Sequence, residues 1–230
     1  MTAKIFEMFA AADISITERQ AEQFCILFEF MAEYNKNVNL TSITEFEDVV
    51  MKHFIDSVLP FVMIGIAEGA SFIDVGTGAG FPALPLLIVR PDLKATLCDS
   101  LGKRCTYLEL AIGKIGASAE VIHARGEELG RKRRERYDLA TARAVAALPV
   151  LTELCLPFVK VGGEFIALKS VNENVNAADN AIKQLGGRLD RSLDYMLPNG
   201  DGRRLAIIKK ISQTPTKYPR SYANITKKPL

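Results

Sequence analysis

The sequence predicts an α/β fold: a mostly parallel seven-stranded sheet with helices on both faces, preceded by an N-terminal helical extension. Three observations carry this. From Ser71 onward, short β-type runs alternate with segments each long enough for one helix, the pattern of a parallel sheet. The first of these runs, Phe72-Ile73-Asp74-Val75, passes straight into a glycine-rich loop, Gly76-Thr77-Gly78-Ala79-Gly80. The residues before Ser71 instead repeat apolar side chains at helical spacing.

In the helical part, Thr17-Glu18-Arg19-Gln20 has the form of a capping box. Ala21, Phe24, Leu27, Phe28, Met31 and Tyr34 then fall on one helical stripe. Thr44-Glu45-Phe46-Glu47 is a second candidate capping box, predicting a helix that passes His53 and ends near Pro60. The Asn-rich stretch Asn35 to Thr41 between them competes against helix through side-chain to backbone hydrogen bonds. Strands are expected at Phe72–Val75, Ala95–Cys98, Ala119–Ile122, Tyr137–Thr141 and Glu164–Leu168. Phe81-Pro82 is expected to begin a helix, with Pro82 in its first turn. A further helix is expected near Asn174–Leu185. Two last strands, Arg191–Leu197 and Arg204–Ile211, flank the turn-rich Pro198–Gly202 and can form a hairpin. The chain therefore divides into a helical extension (1–69), an α/β domain (70–211) and a basic tail (212–230). The tail is polar and carries Pro215, Pro219 and Pro229, so it reads as frayed, as folded back on the domain, or as ordering on a partner.

The composition is that of a globular protein. The 230 residues are 48% hydrophobic and 24% charged, enough to bury a sizeable core. A net charge of +2 neither demands nor excludes a nucleic-acid partner, which needs a basic face rather than a basic average. Basic residues cluster in Arg131-Lys132-Arg133-Arg134 with Arg136, which reads either as a solvated turn or as a phosphate-tracking patch. Cys25, Cys98, Cys105 and Cys155 form no C-x-x-C pair and read as reduced thiols; with only His53 and His123 as imidazoles, no metal site is expected. The start lacks a signal-peptide pattern, and the longest apolar stretch, around Val58 to Ile66, is too short to span a bilayer. The expectation is a soluble, cytoplasmic protein acting as a monomer.

The glycine loop sits where a nucleotide-type ligand binds in a Rossmann-like fold, at the carboxyl end of the first strand. Its spacing is G-x-G-x-G rather than the G-x-G-x-x-G of dinucleotide sites, which argues against a pyrophosphate and against a nicotinamide dehydrogenase. Asp74, just before the loop, suits a cationic ligand. Asp99, 23 residues after Gly76 and at the end of the next strand, can accept ribose hydroxyls. Arg125-Gly126-Glu127-Glu128 follows the third strand and can border an adenine, although both glutamates also suit the first turn of a helix. Together these favour S-adenosylmethionine, a donor with an adenosine, a sulfonium and no phosphate. The structural alternative is a tight turn with two acids near it.

Several segments resemble one family along nearly the whole chain. They are Asn35 to Ile43, His53-Phe54-Ile55-Asp56-Ser57, Asp74 to Leu86, Asp99-Ser100-Leu101-Gly102-Lys103-Arg104, Arg125 to Glu128, Ala142-Arg143-Ala144-Val145-Ala146, Leu168-Lys169, Tyr218-Pro219-Arg220 and the closing Pro229-Leu230. In these the chain is similar to the bacterial 16S ribosomal RNA guanine-N7 methyltransferases, the RsmG or GidB family. Departures are Tyr34 for the family's tryptophan, Ala83 and Ser170 for glycines, and a tail that lacks the customary glycine after Arg220.

The resemblance implies a class I S-adenosylmethionine-dependent methyltransferase acting on N7 of guanine 527 of 16S rRNA, free or in the small subunit. By the same likeness Gly76, Gly78, Phe81, Asp99, Ser100, Leu101, Gly126, Glu127 and Arg143 belong to the donor site with Asp74. Lys103, Arg143 and Arg203 become basic residues facing RNA or the guanine. Read from the residues alone, Arg143 is equally a strand-end arginine paired with Asp138 or another acid, and Lys103 a solvated first-turn lysine. His53 and Asp56, three apart on a helix, read as a structural hydrogen-bonded pair before a catalytic dyad. A small-molecule methyltransferase and a non-catalytic binding module on the same fold are the rival readings; the basic tail counts against the first and the full donor set against the second.

Overall fold

The computed structural model describes residues 1–143 and 146–230, and so leaves Ala144 and Val145 of the Arg143 motif outside the description. Its elements in chain order begin with α1 (Thr2–Ala10), α2 (Glu18–Asn35) and α3 (Phe46–Val49). A π-helical segment (Val50–Ile55) then leads without a break into α4 (Asp56–Ile64). β1 (Ser71–Val75), α5 (Ala83–Val89), β2 (Lys94–Asp99), α6 (Gly102–Ile115), β3 (Ala119–His123), α7 (Gly126–Lys132) and β4 (Tyr137–Arg143) alternate as expected. α8 (Leu148–Cys155), β5 (Val159–Ser170), α9 (Asp179–Gln184), β6 (Gly187–Met196), β7 (Gly202–Lys210) and α10 (Tyr222–Lys227) complete the chain. Among the described residues no helix is long and apolar enough to cross a membrane.

One seven-stranded sheet runs in the order β3-β2-β1-β4-β5-β7-β6. β1 to β5 pair parallel, and β7 runs antiparallel between β5 and β6. The strand order reverses between β1 and β4, so the carboxyl ends of these strands open the crevice where ligands bind in such sheets. Alternation along each strand feeds two cores. Phe72, Ile166 and Leu168 point into the layer shared with α1 to α6. Ile73, Phe165 and Ala167 point into the opposite layer, with α8 and α9.

Three local expectations needed correction. The Thr17 capping box forms as read, with both reciprocal bonds to Gln20. The Thr44 box does not: Glu45 is the N-cap of α3 and no side chain caps it. With the start displaced by one residue, the box spacing is lost. The helix also runs past Pro60 to Ile64. Pro60 has no N–H to offer the Asp56 carbonyl, so the helix continues through it without that backbone bond, directly after the π-helical segment. Finally, Pro82 is the N-cap of α5 rather than a first-turn residue, because the loop extends two residues beyond the glycines.

The tail packs against the α/β domain. Tyr218 and Ile225 are buried. Arg134 donates to the carbonyls of Thr214 and Tyr218, and Arg131 to that of Pro219. Arg133 is paired with Glu120. The cluster at Arg131 to Arg134 is therefore largely committed to intramolecular partners rather than to tracking phosphates. Arg220 grips Glu153 of α8, whose side chain is fully buried, through its guanidinium at 2.6 Å and its backbone N–H at 2.9 Å. Removing one partner of a buried pair leaves an uncompensated charge. Arg220→Ala is expected to lower the unfolding free energy by about 3 kcal/mol in urea denaturation at neutral pH, and adding Glu153→Gln to that variant should recover part of the loss.

Candidate functional site

The glycine loop turns at the end of β1 with positive φ at Gly76, Gly78 and Gly80 (70°, 60° and 88°), a conformation glycine adopts without steric cost. At Gly80 a Cβ would also overlap Leu84 Cδ1 at 2.4 Å. The loop is pinned from below. Thr77 and Thr141 hydroxyls donate to the two oxygens of Asp74, at 2.6 and 3.0 Å. Asp74 is wholly buried, and burial pushes its carboxyl up to about 7 against the pull of those hydroxyls. Expected from the sequence to meet the ligand, Asp74 instead lies beneath the loop and ties β1 to β4.

Above the loop is a cavity of about 490 Å³ at the carboxyl ends of the strands. Of the expected donor residues, Gly76, Gly78, Phe81, Asp99, Ser100, Gly126, Glu127 and Arg143 line it. Asp99 is held by the Gly78 N–H (2.9 Å) and the Leu101 N–H (2.9 Å), with Arg104 at 3.6 Å. Leu101 contributes that backbone bond while its side chain is exposed. Glu127, in the first turn of α7, is buried and its carboxylate has no hydrogen-bond partner among the described residues. Gly126 fits closely: a Cβ there would meet Val75 Cγ1 at 2.9 Å.

Arg143, at the end of β4, closes one side. Its guanidinium is buried, and it donates to the Lys52 carbonyl (2.9 Å), His53 Nδ1 (3.1 Å) and Asp56 Oδ2 (3.4 Å). Its acid partner is Asp56, not Asp138, which instead pairs with Ser71 and Lys160. Nδ1 of His53 lies 3.1 Å from both the Arg143 guanidinium and the Lys52 carbonyl, and Nε2 shares a hydrogen bond with Thr41 Oγ1 at 2.9 Å. Burial, then the nearby Arg143 charge, push His53 down to about 4, so the ring is neutral. His53 stacks on Phe81 at 4.5 Å, and the Arg143 guanidinium lies 5.1 Å from the same ring. The Asn-rich connection serves this wall. Asn35 Oδ1 accepts from the N–H groups of Leu40 and Thr41, and its amide donates to the Thr41 carbonyl, so the turn presents Leu40 and Thr41 to the cavity.

His53 and Arg143 also line a second cavity, of about 640 Å³. Lys52, Lys169 and Arg203 join Arg143 there against Asp56 and Glu173, leaving an excess of positive charge. Arg203 donates to Asp56 Oδ1 at 3.0 Å. Burial pushes the Asp56 carboxyl up while Arg143 and Arg203 pull against it. Lys103 stands apart, exposed in the first turn of α6 and outside both walls. Sequence reasoning had not assigned Arg104, Leu151, Leu154 or Tyr222 to the first cavity, or Lys52 and Lys169 to the second. Lys169 and Arg104 stood inside motifs already noted, but which side chain turns inward depends on helix rotation and strand register.

The family described as rRNA small subunit methyltransferase G matches residues 20–193. "Ribosomal RNA small subunit methyltransferase G" of Lactobacillus acidophilus is 44% identical over 226 residues, covering 95% of this chain and 94% of the relative. The protein of the same name from Clostridium botulinum is 44% identical over 229 residues, 96% of each. A solved structure described as a SAM dependent methyltransferase from Aquifex aeolicus shares the fold, with TM-score 0.54 at 15% identity over 77% of this chain and 97% of the other.

The raised Asp74 carboxyl sets a pH dependence. Between the unfolded value of 3.8 and about 7 the folded chain holds the extra proton, so stability falls as pH rises through that window. Relative to the native chain, Asp74→Asn should therefore gain unfolding free energy from pH 4 to pH 7 and level off above, as measured by denaturant titrations across that range.

Proposed function

The chain belongs to the rRNA small subunit methyltransferase G family, and from that premise we propose that it transfers a methyl group from S-adenosylmethionine to N7 of a guanine in 16S rRNA, the family's guanine 527. The observation that carries this reading is the wall of His53 and Arg143 shared by two cavities, the first holding Asp99 and Glu127 beside the glycine loop, the second adding Lys52, Lys169 and Arg203.

The first cavity fits the methyl donor. Its volume is within the usual range for small-molecule sites. Gly126 and the loop bring backbone to its surface, and Asp99 and Glu127 offer carboxylates as acceptors for ribose hydroxyls and for the adenine amine. The donor supplies an electrophilic methyl on its sulfonium. The second cavity, with Lys52, Arg143, Lys169 and Arg203, suits an electron-rich base carried on a phosphate backbone. The substrate is 16S rRNA, free or within the small subunit, met in the cytoplasm by one copy of the chain.

Guanine N7 carries a lone pair and no proton, so in-line attack needs no general base. His53 fits this: its Nδ1 is engaged by Arg143 and the Lys52 carbonyl and its ring is neutral, which leaves it a positioning residue. Arginine and lysine normally hold both O6 and N7 of guanine. Here N7 must stay free, so Arg143 and Arg203 have O6 or a phosphate oxygen as their targets. The catalytic work is alignment in a site shielded from water, which supplies roughly 7–11 kcal/mol in well-oriented reactions.

Three measurements test the assignment. Mass spectrometry of 16S rRNA from cells lacking the gene should show loss of one N7-methylguanine that the purified protein restores with labelled donor; a modification that persists would refute it. Asp99→Ala should weaken donor binding more than about tenfold in calorimetry while the melting temperature moves little. Lys103→Ala should leave donor binding intact, weaken RNA binding, and flatten the salt dependence of RNA affinity by about one ion.

A further inference from the structure

Tyr222 lies in the C-terminal segment, yet its side chain lines the donor cavity. It is 38% exposed, and its hydroxyl has no hydrogen-bond partner among the described residues, so core packing does not account for its position. The segment around it is fixed firmly. Two residues before it, Arg220 is bound to the buried carboxylate of Glu153. Three residues after it, Ile225 is fully buried. Tyr218 is buried as well, with its hydroxyl donating to Gln184 at 2.6 Å.

The anchor and the cavity wall belong to one helix. Glu153 stands on α8 between Leu151 and Leu154, and both leucines line the cavity. Leu154 Cδ2 comes within 3.9 Å of the Cβ position of Gly126, which places α8 beside the turn after β3. This end of the cavity offers an apolar surface from Val75, Ala124, Leu151 and Leu154, with Arg125 and Glu127 on either side of Gly126. The opposite end carries His53, Phe81 and Arg143 and adjoins the second cavity. A methyl group passed to a base in the second cavity must start near that opposite end, which leaves the flat, weakly polar adenine for the end near α8.

We propose that Tyr222 is a donor-binding residue, its ring covering the adenine and held in place by the Arg220–Glu153 anchor. This rests on the reading of the first cavity as the S-adenosylmethionine site. Aromatic side chains stack on any base through their π-faces, so the ring and not the hydroxyl carries the contact. The tail departs from the family pattern just after Arg220, so the resemblance did not assign this residue a role.

Calorimetry on the full chain tests it, with S-adenosylmethionine and with 5′-methylthioadenosine, which keeps the adenosine and lacks the amino-acid end. Tyr222→Ala should raise the dissociation constant of both by about the same factor, near tenfold, and Tyr222→Phe should retain the affinity that the alanine variant loses. Because the side chain is partly exposed, Tyr222→Ala without ligand should melt with the native chain. An alanine variant that binds both ligands like the native chain overturns the proposal. So does a loss seen only with S-adenosylmethionine, which would move the contact to the amino-acid end. A native chain that binds neither ligand would instead refute the donor reading, and the proposal with it.

Discussion

A buried guanidinium holds this site together. Arg143 sits at the end of β4 with 15% of its side chain exposed, and a charge so placed is costly unless its donors are met. They are met by the helical extension: the Lys52 carbonyl, the His53 ring and the Asp56 carboxylate. One hydrogen-bonded line runs from Asn35 through Thr41, His53 and Arg143 to Asp56 and on to Arg203 of β7. It joins the first helices to the last strand across the carboxyl ends of the sheet. The π-helical turn puts Lys52 and His53 where that line needs them. Buried ion pairs are weak evidence for stability, but truncating one partner is costly, so the geometry around Arg143 is specified narrowly.

Asp74 and Asp99 show where sequence reading stops. Both are acids at the end of a strand beside the glycine loop, and by spacing alone both are ligand candidates. The structure separates them by face. Asp74 turns under the loop to Thr77 and Thr141, while Asp99 turns to the cavity with Gly78 and Leu101 on its oxygens. Thr141 is 67 residues from Asp74 in sequence, so nothing local announces the pair. The same holds for Arg143, whose partner by proximity in sequence would be Asp138 and is in fact Asp56.

The strands and their order of appearance were legible because each residue position alternates between two buried layers, and runs such as Phe165 to Leu168 must then be apolar throughout. The hairpin of β6 and β7 was legible from Pro198–Gly202. Helix starts were legible only where a reciprocal cap formed, at Thr17, and not at Thr44, where the same pattern lies one residue off the true start. For the tail, folding back on the domain was only one of the open alternatives: polar and proline-rich, it is fixed by distant partners, Arg131, Arg134 and Glu153, that composition cannot pair with it. Tyr222 shares that fate, since its place at the cavity depends on the anchor two residues earlier.

The committed arginines bear on where an RNA would lie. Arg131, Arg133 and Arg134 cluster where α7 ends and β4 begins, at the opposite end of the sheet from the cavities, and each already has a protein partner. Lys210, buried nearby, is likewise bound to Thr214 and Glu135. Desolvated and paired cations contribute little to the counterion release that drives binding to a phosphate backbone. At the other end, Lys52, Lys169 and Arg203 line the second cavity and Lys103 is exposed on α6. Lys52, Lys169 and Arg203 are paired as well, with Asp48, Glu173 and Asp56, so the cationic face there rests on Lys52, Arg143, Lys169 and Arg203 outnumbering Asp56 and Glu173 in the second cavity. Under the proposed function, an RNA strand drawn to that face would arrive at the carboxyl ends of the strands, with its bases toward the wall of Arg143 and His53. The arginine that ties the helical extension to the last strands through Asp56 is also the wall between the two cavities.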